Sequence, residues 1–83
     1  MTPEQLRSAV LEALSGVAPE LEPESLDPRV ELRSQLDLDS MDFLNFVLGL
    51  HKALGVDIPE ADYRRLATLD GCVADLAAKA TAQ

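Results

Sequence analysis

The 83 residues include only one cysteine and one histidine. With Cys72 alone, no disulfide can form within the chain and no cysteine metal cluster can be built, a usage that suits a reducing compartment. Basic residues are scarce as well, 7 Lys and Arg against 15 Asp and Glu, for a formal charge of −8. Such a field repels phosphate backbones and anionic lipid, so neither nucleic acid nor a membrane surface is an expected partner; a basic protein surface is the natural complement. No apolar run approaches the ~20 residues that a membrane-spanning helix needs. Met1-Thr2-Pro3-Glu4 lacks a basic region followed by a hydrophobic segment, so no secretion signal is expected and the cytoplasm is the expected compartment.

What remains is an ordinary globular balance, 47% hydrophobic and 27% charged, which argues for a folded chain. Residues 1–83 fit one domain, expected to be a monomer. A domain this small buries only about 60–65% of its unfolded surface, which leaves little room for a large catalytic cleft.

Helix punctuation organises the chain. Thr2, Pro3 and Gln5 read as N-cap, first helical residue and capping-box partner. Leu6, Val10, Ala13, Leu14 and Val17 then line one face of a helix over roughly residues 3–15, with Gly16 suited to its end. From Val17 to Asp39 the periodicity fails, and Pro19, Pro23 and Pro28 break any regular element. A loop of that length needs anchors, for which Leu21, Leu26, Val30, Leu32 and Leu36 are available. A second helix is expected from about Ser40 to Leu54, capped by Asp39 and stopped by Gly55, with Asp42 near its positive end. Val56-Asp57-Ile58-Pro59 is too short for a core strand, and Glu60 to Leu66 forms a brief third helix. The last helix starts behind Thr68 and keeps Leu69, Cys72, Val73, Leu76, Ala77 and Ala80 in register. The expected fold is all-α, a small four-helix bundle with a long loop between helices 1 and 2 and a short third helix.

The second helix carries more apolar surface than a core requires. Phe43, Phe46, Val47, Leu50 and Leu54 share one arc at 100° per residue. Met41, Leu44 and Leu48 form a second arc, about 40–100° around from Ser40 and bordered by Asn45, His51 and Lys52. With only three other helices to cover it, the second arc is expected to meet a partner or a bound apolar group.

The stretch Leu36-Asp37-Leu38-Asp39-Ser40-Met41, followed by Leu44, Val47, Leu50, Leu54 and then Val56-Asp57-Ile58-Pro59, resembles the acyl carrier protein family without a gap. The resemblance spans roughly residues 32–76, and the order of elements extends it to the whole chain. It implies a 4′-phosphopantetheine arm on Ser40, in a motif of Asp, Ser, then Leu or Met. It also implies a phosphopantetheinyl transferase as partner, together with acyl-loading and acyl-transfer enzymes of fatty-acid, polyketide or related pathways. Such a chain is a carrier and not an enzyme: the arm's thiol holds the acyl group as a thioester, and other proteins do the chemistry. Cys72, on the apolar face of the last helix, reads as a small core residue and not as that thiol. Asp39, Met41, Leu44, Asn45, Leu48, His51 and Lys52 are the expected partner contacts. Two positions depart from the family pattern, Asp37 where a glycine is usual and Gln35 where an aspartate is common.

Other readings of Ser40 fare worse. A serine hydrolase needs a base within hydrogen-bond reach, and His51 lies eleven residues along the same helix, about 16 Å at 1.5 Å per residue. The run Asp37 to Asp42 fails as a calcium loop, with Met41 at the fifth position, Asp42 at the required glycine and Leu48 at the bidentate glutamate. No metal site is expected. An aminoacyl or peptidyl carrier shares the fold and the arm but resembles a glycine-rich approach to the serine. A helical interaction module without an arm would use the second arc alone.

Overall fold

Thr2 opens the first helix: its hydroxyl accepts the Gln5 N–H at 3.1 Å, and Gln5 Oε1 accepts the Thr2 N–H at 2.9 Å. The computed structural model describes the backbone of residues 2–82 and the side chains of residues 2–79. Four α-helices follow one another: α1 (Pro3–Val17), α2 (Leu32–Gln35), α3 (Ser40–Leu54) and α4 (Leu69–Ala82). A 3-10 turn at Pro23–Ser25 lies between α1 and α2, and a longer 3-10 helix, Glu60–Leu66, lies between α3 and α4. Among the described residues there is no strand, and no helix is long and apolar enough to cross a membrane.

The long helices pack on their periodic faces. Leu6, Val10 and Leu14 of α1, Phe46, Val47 and Leu50 of α3, and Leu69, Cys72 and Leu76 of α4 are buried in one cluster. Phe43, Leu54, Val73 and Ala77 are half-buried against it, while the side chain of Ala80 lies outside the described residues. Gly55 closes α3 in the left-handed conformation, φ 63°, and its N–H donates to the His51 carbonyl at 2.8 Å. Thr68 Oγ1 accepts the Gly71 N–H at 2.9 Å and so caps α4.

Three expectations need correction. Helix α1 does not end at Gly16 but runs through Val17, which packs on the core; Ala18, kept out of the helical region by Pro19 behind it, ends the helix instead. The loop contains the one-turn helix α2, too short to show any periodicity. The brief third helix stands over the expected residues, Glu60–Leu66, as a 3-10 helix. Val30 is exposed and anchors nothing, whereas Leu38, not among the expected anchors, is buried beside Leu26 and Leu32. Leu21 and Leu36 lean on the core as expected.

Backbone bonds fasten the loop to the far side of the bundle. The Leu32 N–H donates to the Ala67 carbonyl at 2.7 Å, and the Asp70 N–H to the Pro28 carbonyl at 3.0 Å. Close packing at that junction requires Gly71, because a Cβ there would collide with the carbonyl oxygen of Arg65.

The two arcs of α3 separate cleanly: Leu50 is fully buried, and Leu48, two residues before it, is 46% exposed. Leu50→Ala should therefore destabilise the fold by about 2–5 kcal/mol, and Leu48→Ala by less than about 1 kcal/mol. Urea unfolding of both variants checks this, and equal costs would contradict the division of α3 into two faces.

Candidate functional site

The approach to Ser40 is a helix end followed at once by a helix start. After α2, Asp37 turns left-handed with φ 54°, the only positive φ of a non-glycine residue among the described residues. The Leu38 N–H then reaches back to the Arg33 carbonyl at 2.9 Å, the six-to-one bond of a Schellman turn. The left-handed position of that turn favours glycine, because a Cβ there crowds the following carbonyl. Leu38 dives into the core, and Asp39 emerges as the N-cap of α3. Its Oδ1 accepts the Asp42 N–H at 2.8 Å, and Asp42 Oδ2 accepts the Asp39 N–H at 3.3 Å. This reciprocal box goes beyond the dipole role expected for Asp42.

Gln35 steadies the same approach. Its Oε1 accepts the Asp27 N–H at 2.6 Å, while Nε2 donates to the carbonyls of Asp27 at 3.0 Å and Val30 at 3.3 Å. An aspartate at this position has no N–H to donate to either carbonyl.

Ser40 thus stands exposed as the first residue of a 15-residue helix. The N–H groups of Ser40 and Met41 lie in the first turn, where no carbonyl four residues back completes a helical bond. Arg33, which the sequence did not single out, donates from Nη2 to Ser40 Oγ at 3.3 Å. Its position seven residues earlier gave no signal, since only the turn at Asp37 folds α2 back against the start of α3.

From Ser40 the expected contact residues form one stripe along α3. Met41 is 64% exposed and Leu44 37%, followed by Leu48, with Asn45 and Lys52 exposed beside them. His51 is on the surface too, but Nδ1 donates to the Val56 carbonyl at 2.9 Å, tying the chain that leaves α3. The helix between Ser40 and His51 is unbroken, which keeps the imidazole out of reach of the hydroxyl. Beside the stripe, Val47, Leu48, Ile58, Pro59 and Tyr63 line a shallow groove of about 260 Å³.

Two comparisons bear on this arrangement. The family described as phosphopantetheine attachment site matches residues 8–78. Among solved structures, an acyl carrier protein from Enterococcus faecalis, studied for its high thermal stability, is similar in fold. The TM-score is 0.79 at 23% identity, over 95% of this chain and 99% of that one.

The chain's own thiol has no place on this surface. Cys72 is fully buried, with Sγ 3.4 Å from the Leu66 carbonyl oxygen. Burial, with the Asp75 carboxylate adding to it, pushes the thiol's pKa up to about 12. The thiolate is the reactive form, so folded protein should resist iodoacetamide between about pH 7 and 9 and react fully once unfolded in urea. Intact mass after alkylation reads the result; fast labelling of the folded chain would place Cys72 outside the core.

Proposed function

Because the chain belongs to the phosphopantetheine-attachment family, we propose that it is an acyl carrier whose arm is joined to the Ser40 hydroxyl. One observation carries the assignment. Ser40 is an exposed hydroxyl at the first position of a long, doubly capped helix, directly beside the exposed stripe Met41, Leu44 and Leu48. A phosphodiester fits there, since the uncommitted first-turn N–H groups and the positive helix end both favour an anion. The arm itself supplies a terminal thiol that carries the cargo as a thioester.

The chain's residues then supply position and address. Residues 1–83 act as one carrier domain, expected to work as a cytoplasmic monomer. A phosphopantetheinyl transferase with coenzyme A loads Ser40: the hydroxyl oxygen bonds to the phosphorus nearer the pantetheine and the bridging P–O bond breaks. Adenosine 3′,5′-bisphosphate leaves, and the hydroxyl proton passes to a base of the transferase. Loading should add one arm to the wild-type protein and none to folded Ser40→Ala, read by intact mass. An arm retained by that variant would refute the site.

Partner choice follows from charge. Asp37, Asp39, Asp42, Asp57, Glu60 and Asp62 keep the ends of α3 and the segment after it acidic, which steers a basic partner toward them. The middle of the exposed side reads Asn45, His51 and Lys52, without a negative charge. This pattern supports a specialised carrier that serves its own acyl-loading or acyl-transfer enzyme through Met41, Leu44 and Leu48. Arm-bearing wild type is accordingly a poor substrate for a standard fatty-acid ketosynthase. The Asn45→Glu, Lys52→Glu double variant should gain about tenfold in kcat/KM through faster association. His51 stays in place there because it holds Val56. Efficient turnover of the wild type, with no gain from the glutamates, would indicate a general carrier.

A further inference from the structure

Three carboxylates, Asp37, Asp39 and Asp42, lie within three residues of Ser40, and a phosphodiester on its hydroxyl adds another negative charge. Asp39 and Asp42 each give one oxygen to the capping box, which leaves their charge in place. Between Val30 and Leu50 the chain has a single cation, Arg33. Its guanidinium is 3.3 Å from Ser40 Oγ and, among the described residues, forms no ion pair with a carboxylate. A full positive charge is therefore held against a neutral hydroxyl, by a hydrogen bond longer than the usual 2.7–3.2 Å.

The backbone that presents this charge is fixed. The Arg33 carbonyl accepts the Leu38 N–H in the Schellman turn, and Leu32 before it is fully buried and bonded to Ala67. The side chain thus springs from a clamped point and reaches the hydroxyl of the first residue of α3. A guanidinium prefers phosphate oxygens to a hydroxyl, since they accept short, charge-assisted bonds in a geometry that matches its planar fork.

We propose that Arg33 is a positioning residue for the arm: its guanidinium binds the phosphodiester on Ser40, offsets the carboxylates around it and sets the direction in which the arm leaves the helix. The proposal rests on Ser40 being the attachment site. It assigns to α2 a purpose beyond closing the loop, because α2 is the element that brings the charge to the hydroxyl.

The test compares unloaded and arm-loaded forms of the wild type, Arg33→Gln and Arg33→Lys, each loaded form verified by intact mass. Urea unfolding of all six species gives the change in folding equilibrium on loading. Loading should favour the folded state about two- to fivefold more in the wild type than in Arg33→Gln, and the difference should shrink at high salt. The lysine variant, a point charge without the fork, should retain part of the effect. In NMR spectra, loading should shift the Arg33 side-chain N–H signal, and the phosphorus resonance should move between wild type and Arg33→Gln. A purely structural arginine would alter loaded and unloaded forms alike. Equal loading effects in wild type and Arg33→Gln, with an unchanged phosphorus resonance, would overturn the role of Arg33 and leave Ser40 standing. An unloaded wild type, or an arm on Ser40→Ala, would overturn both.

Discussion

Leu26, Leu32 and Leu38 reach the core from a segment that is irregular over most of its length, and the placement of Ser40 depends on their doing so. A chain of this size has too few helices to enclose α1, α3 and α4 on every side, so the connection between α1 and α3 must act as a wall. Each of these leucines removes apolar surface from water, about 1.5–3 kcal/mol apiece for full burial. With Leu32 fixed below and Leu38 fixed above, the five intervening residues can only turn back on themselves. That turn ends α2, starts α3, and leaves Ser40 on the outside with Arg33 facing it.

The opposite side of the bundle is held by charge. Asp75 on α4 is nearly buried, and its carboxylate is met by Lys79 Nζ at 2.7 Å and Arg65 Nη1 at 3.7 Å. Lys79 also bonds Asp62 at 2.8 Å, so the network stitches the 3-10 helix to α4. A 3-10 helix has poorer hydrogen-bond geometry than an α-helix and depends on such outside attachment. The Lys79 hydrogen bond draws the pKa of Asp62 below 3.8, against some desolvation, with the nearby Lys79 and Arg65 charges adding to it. Desolvation pulls the pKa of Lys79 down, but its bonds to Asp62 and Asp75 together with the two carboxylate charges outweigh that and raise it above 10.5. The Asp62 contribution is present above pH 3.8 and fades as pH falls through the lowered value. That of Lys79 is present below 10.5 and fades as pH rises through the raised one. Both contributions are present across the neutral range, and on the same 3-10 helix Tyr63 packs its ring edge-on against Phe43.

Local signals were legible in the sequence wherever a helix had a strong boundary or a long face. Thr2 with Gln5, Asp39, Gly55 and Thr68 mark starts and stops by side-chain or glycine chemistry that needs no tertiary context. The separation of Leu50 from Leu48 followed from helical period alone. What could not be read depends on long-range contact. Gly16 looks like a terminator but sits inside α1, because Val17 still finds the core. Val30, an expected anchor, is exposed, and Leu38, for which no burial was expected either way, is buried, since burial in a loop follows the path of the chain and not its composition. The requirement for Gly71 comes from a carbonyl six residues away, and the burial of Asp75 from cations on two elements. Arg33 belongs to the same class.

The two departures from the family pattern acquire opposite physical meanings in this fold. Gln35 is a gain: one amide serves both the N–H and the carbonyl of Asp27 and reaches Val30 besides, a combination open to no carboxylate. Asp37 is a cost, about 1–2 kcal/mol for an L-residue in the left-handed region, moderated because aspartate tolerates that region better than most. The turn forms nonetheless, because burial of Leu32 and Leu38 on either side exceeds the strain between them. An aspartate also restricts the backbone more than a glycine would, so the turn is stiffer as well as more strained. The approach to Ser40 is held by an amide clamp and a constrained turn in place of glycine freedom. A stiff approach holds the Arg33 guanidinium within reach of the Ser40 hydroxyl, since every added degree of freedom in the turn would loosen that contact.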